Sequence, residues 1–140
     1  MVIPRFDPPY AAGYRWLIMH RALWLIDLAC VLVFVGIGRS VHAHGLSMAG
    51  MASTSWPFVT GLAAAWVVVR IGHASGAAIT SGIVVASLTV VVGMVLRVIA
   101  GQGTAVAFVL VALGFLGATM VGWRSSGRIL GLARRGDRSP

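Results

Sequence analysis

The chain has 140 residues, 59% of them hydrophobic and 10% charged, with a mean hydropathy of +0.93. A soluble domain carries roughly 25% charged residues, so this chain lacks the polar surface to cover a water-soluble globule, and no polar stretch is long enough to build a soluble catalytic domain. Its eleven basic residues are all arginines against three acids, Asp7, Asp27 and Asp137, for a net charge of +8 and a pI near 11.8; in a soluble protein that balance suggests nucleic acid, but here the arginines flank apolar runs, as beside membrane spans, and no nucleic-acid partner is expected.

Residues 1–21 form a basic N-terminal segment in which Pro4, Pro8 and Pro9 are expected to break any early helix. Tyr14, Trp16 and Trp24 suit a membrane interface. The first predicted span covers 22–38, between Arg21 and Arg39. Its 17 residues lie at the short end of the ~17–25 needed to cross. The stretch is longer than the ~7–15 apolar residues of a secretory signal and holds Asp27, so cleavage after the small-x-small triplet Val41-His42-Ala43 is not expected. A Gly-, Ser-, Met- and His-containing connection follows over Val41 to Thr54. The second span covers 55–70, with Met48 to Ala52 as a further extension at its front. Pro57 then falls in its first turn, where a missing N–H costs nothing. After a short turn over Ile71 to Gly76, the third span covers 77–100, broken only by Arg97. Gly101-Gln102-Gly103 is a tight turn, and the fourth span, 104–123, stops at Arg124. The basic tail, 125–140, is expected either on the membrane surface as a short helix around Gly127 to Arg135 or disordered.

Period-2 alternation, the mark of a membrane barrel, is absent. Helices satisfy their own backbone in lipid, so the expected fold is all-α: a polytopic membrane bundle of four transmembrane helices. Arg5, Arg15, Arg21, Arg70, Arg124, Arg128, Arg134, Arg135 and Arg138 fall on one side of these spans, Arg39 and Arg97 on the other. The positive-inside rule then places both termini in the cytoplasm and the chain in the cell (plasma) membrane. Anionic headgroups at the cytoplasmic face are the expected lipid contacts.

Five polar residues are not explained by apolar packing. Asp27 lies inside the first span, where a carboxylate costs ~2.5–3.5 kcal/mol at the helix centre and somewhat less near an end. Arg70 and Arg124 lie toward the same end, and either can pair with it; a proton or cation site is the functional alternative. Arg97 either snorkels to the headgroups or faces the bundle centre as a fixed positive charge able to hold an anion or lipid phosphate. Arg39, Trp56 and the Gly101–Thr104 turn share its level. His42 and His44 form a His-x-His with no third ligand nearby, and His20 and His73 sit at the other end, so no metal or other cofactor is expected. Cys30 is the lone cysteine and cannot form an intrachain disulfide. Gly114, Ala118 and Gly122, like Gly61 and Ala65 or Gly82, Ala86 and Gly93, form small-residue stripes that let helices approach. Nucleotide, nucleophile-elbow and zinc-protease motifs are missing, and enzymatic activity is not expected.

Asp27, Phe34, Gly38-Arg39-Ser40 and His42, then Trp56-Pro57-Phe58 and Gly61, then Gly93 with Leu96-Arg97, Gly101-Gln102-Gly103-Thr104-Ala105, Phe108 and Gly122-Trp123-Arg124 form a combined pattern. It resembles a family of small prokaryotic four-helix membrane proteins catalogued as a domain of unknown function. The resemblance covers about residues 22–124. It implies a four-span integral membrane protein and brings no activity with it. The expected role is an accessory, assembly or structural membrane component that packs against itself or a larger membrane protein. The alternative is a small oligomeric transporter or channel that uses Asp27 and Arg97.

Overall fold

The computed structural model describes residues 9–41 and 47–136, with side chains described for 21–40 and 47–127. It contains four helices: α1 (Pro9–Val41), α2 (Met48–Ile71), α3 (Ile79–Ile99) and α4 (Val106–Gly136). Each contains a stretch long and apolar enough to cross a membrane: Arg21–Ser40, Met48–Ile71, Ile79–Ile99 and Val106–Gly127. The described residues form no strand.

The helices pack in a ring, each against its neighbours in the chain, with α4 returning to α1; the diagonal pairs are not in close contact. The α2–α3 seam is the tightest and the α1–α4 seam the loosest. Each helix buries one stripe at helical spacing. On α1 it is Asp27, Val31, Phe34 and Val35; on α4 it is Ala112, Leu116, Met120 and Arg124. Both stripes begin or end on a charged residue, which brings the two charges to the same end of the ring. The α2–α3 seam is close because glycines face it. A Cβ on Gly61 would lie 2.6 Å from the backbone oxygen of Thr89, and one on Gly93 would lie 2.8 Å from the Phe58 ring.

Helix bounds differ from the sequence-based expectation at several points. α1 begins at Pro9 instead of 22, because a proline at the first helical position lacks only an N–H that would have no helical partner anyway. α2 takes the longer extension: Ser47 caps it, its Oγ accepting from the Gly50 N–H at 3.2 Å. Pro57 is therefore the tenth residue of α2, not part of its first turn. α3 begins after Ala78, behind a connection closed by the Ser81 hydroxyl donating to the Ser75 carbonyl at 2.7 Å. α4 starts at Val106, after Thr104, and does not stop at 123. The Ser125 and Ser126 hydroxyls donate to the Val121 and Gly122 carbonyls at 2.9 and 3.0 Å, so these polar side chains sit within the helix instead of ending it.

One small-residue stripe is not a seam. Gly114 and Ala118 are exposed, and a Cβ on Gly114 or Gly122 would meet nothing within 4 Å. The buried face of α4 is the neighbouring 112/116/120/124 row, which has larger residues to fill the ring's centre. The expectations for His20, Tyr14, Trp16, His42, His44 and the arginines beyond residue 127 lie outside the described side chains.

Candidate functional site

Two polar clusters occupy opposite ends of the bundle. The first is built on Asp27, which is fully buried. Of the two arginines at its level, Arg124 is the partner; Arg70 lies on the exposed side of α2. Arg124 donates from Nη1 to Asp27 Oδ1 at 2.9 Å and from Nη2 to Oδ2 at 2.7 Å, the two-pronged geometry that suits a carboxylate. The Trp66 indole donates to Oδ2 at 3.1 Å and the Trp123 indole to Oδ1 at 3.0 Å. Two further donors of the guanidinium are also engaged: Nε gives to the Gly76 carbonyl at 2.9 Å and Nη1 to the Met120 carbonyl at 2.8 Å. It lies 4.3 Å from the Trp123 ring centre. The cluster ties α1, α2, α4 and the α2–α3 connection together. Its space depends on two glycines: a Cβ on Gly82 would press on Arg124 Cδ at 2.8 Å, and one on Gly76 on the Trp66 ring at 2.6 Å.

The second cluster follows from Pro57. A proline inside a helix cannot donate to the carbonyl four residues back, which here is Ser53. The Gln102 side-chain amide supplies that bond, donating to the Ser53 carbonyl at 3.0 Å. Gln102 is presented by a turn in which Gly101 and Gly103 have φ of +68° and +70°, a backbone region that favours glycine. Arg97 braces the same turn. Its Nη1 donates to Gln102 Oε1 at 3.1 Å, and its Nη2 makes longer contacts to the carbonyls of Gln102 and Gly103 at 3.4 and 3.3 Å. Its guanidinium sits 4.9 Å from the Phe108 ring centre. Its Nε is buried with no acceptor. The turn thus holds the Arg97 guanidinium in place. Across from it, Arg39 donates from Nη1 to Thr54 Oγ1 at 3.0 Å.

A cavity of about 670 Å³ opens beneath these arginines, along the loose α1–α4 seam. Its mouth is polar, with Arg39, Ser53, Thr54, Arg97 and Gln102; its length is apolar, with Phe34, Val35, Phe108, Val111 and Phe115. Phe34 anchors the wall, with ring centres 5.7 Å from both Phe108 and Phe115. Gly38 also lines it, whereas Trp56 lies half-exposed outside it. Among the described residues no three His, Cys, Asp or Glu side chains come together as a metal site.

Arg39, Arg97 and, from the 101–104 turn, Gln102 come together at this mouth. Trp66 and Trp123 were not expected at Asp27. An indole N–H within an apolar span needs an acceptor, and that requirement was the available signal. The pairing of Pro57 with Gln102 has no counterpart in a first-turn position for Pro57, where no carbonyl loses a helical donor.

No curated protein and no solved structure matches the chain. A family model described as a protein of unknown function (DUF3054) matches residues 24–126, a stretch that takes in both polar clusters, and the chain belongs to that family.

Proposed function

We propose that this protein is a non-catalytic accessory or structural component of the cell membrane, and not a carrier that works through Asp27. The observation that supports this is the closure of the Asp27–Arg124 cluster. Both carboxylate oxygens accept two hydrogen bonds each, and the side chains of the pair are fully buried. A proton or cation relay needs a carboxylate that exchanges partners; this one holds three elements in register. Among the described residues Asp27 is the one acid, so no second carboxylate stands beside it there.

The test is Asp27→Asn in proteoliposomes and in cells. A structural role predicts lower folded yield, partial recovery when Arg124 is also neutralised, and no proton or cation flux that depends on Asp27. A folded D27N protein that loses a flux present in the wild type would overturn the proposal. Mild-detergent purification tests the partner: a stable larger membrane complex supports the accessory role, and a flux-competent homo-oligomer overturns it.

A further inference from the structure

We propose that the cleft between α1 and α4 binds one anionic phospholipid, its phosphate held at Arg97 and Arg39 and an acyl chain laid along Phe34, Val111 and Phe115. The first ground is charge. Asp27 is the only acid among the described residues, and it is committed to Arg124 at the opposite end of the bundle. The carbonyls and amide oxygen around Arg97 orient its guanidinium but do not neutralise it. Its Nε retains a proton with no acceptor, and a buried donor left unmatched is costly. A phosphate oxygen meets both needs at once, as an anionic acceptor for a charged donor.

The second ground is shape. Below the arginines the wall is aromatic and aliphatic, and the volume of about 670 Å³ falls within the ~300–1,000 Å³ of small-molecule sites. Ile37 and Val111, both half-exposed or more, mark where the cleft opens sideways between the helices. A free anion leaves that apolar wall without an occupant, and a zwitterionic lipid brings its phosphate together with a cation that Arg97 and Arg39 repel. A second copy of the chain brings no available carboxylate among its described residues.

The experiment uses the full chain in a neutral detergent, with phosphatidylglycerol or phosphatidylcholine of matched acyl chains added back and bound lipid counted by native mass spectrometry. The wild type is expected to keep one phosphatidylglycerol per chain, at least about tenfold tighter than phosphatidylcholine, whose choline cation is repelled by the two arginines. Arg97→Gln is expected to abolish the preference. Val111→Trp fills an exposed part of the cleft and leaves every arginine in place; it is expected to lose the bound lipid while keeping its helical circular dichroism. V111W therefore separates the cleft from diffuse attraction to a basic protein, and it carries the test should R97Q fail to fold. Equal retention of the two lipids, unchanged phosphatidylglycerol binding in V111W, displacement by inorganic phosphate at equal concentration, or a lipid-free dimer whose interface covers Val111 would each overturn the proposal.

Discussion

Asp27 and Arg124 illustrate how an expensive residue is made tolerable. Each charge alone would be stranded in the apolar interior, so removing one partner should cost ~3–5 kcal/mol. Asp27→Asn is expected to lower the unfolding midpoint in detergent by a corresponding amount. Adding Arg124→Gln should recover part of that loss, because the stranded positive charge is then gone. Arg124→Lys keeps the charge but loses the fork and the Nε bond to Gly76, with an expected loss of ~1.5–3 kcal/mol. Equal stability of D27N and the wild type would show that the pair is not a clamp. The requirement for a partner was legible from Asp27 alone. The choice of Arg124 over Arg70 was not, because it depends on which face of its helix each arginine occupies, and on Gly76 and Gly82 leaving room for the guanidinium.

At the scale of elements, Pro57 and Gln102 form a unit that joins α2 to the α3–α4 turn. In the wild type, Gln102→Ala leaves the Ser53 carbonyl without its donor and is expected to cost ~0.5–1.5 kcal/mol. In a Pro57→Ala background the new backbone N–H can serve that carbonyl, and the same change should cost much less. A double-mutant cycle measured by equilibrium unfolding reads the difference directly; independent, additive effects would refute the link. Glycines sort by the same logic. Gly61→Ala forces a Cβ onto the Thr89 backbone and is expected to cost ~1–3 kcal/mol, whereas Gly114→Ala should be close to neutral in thermal unfolding. Sequence spacing treats the two stripes alike, since both repeat small residues every four positions. Only their orientation in the ring separates the seam from the open face.

The whole molecule poses the question of orientation. Nine arginines on one side predict that the α2–α3 connection and both termini share the cytoplasm. With Cys30 replaced by Ala, a cysteine at Ser47 is expected to react with an impermeant maleimide from outside intact cells, and one at Ser75 only after permeabilisation. Reaction of both from the same side would overturn the arrangement. Four helices long and apolar enough to cross a membrane, their order and the helical class were legible in the sequence, because in lipid a chain of this composition has few ways to satisfy its backbone. The polar outliers were legible too, since a charge in an apolar run stands out wherever it falls. What only the tertiary structure decided was partnership: that Asp27 faces Arg124 and two indoles, that Pro57 opens a carbonyl for Gln102, and that α1 and α4 part beneath Arg97 to leave a cleft. Each depends on how far one helix is turned and shifted against another. Apolar runs identify the spans, but helices that expose apolar side chains to lipid on most faces do not declare from sequence which face meets a neighbour.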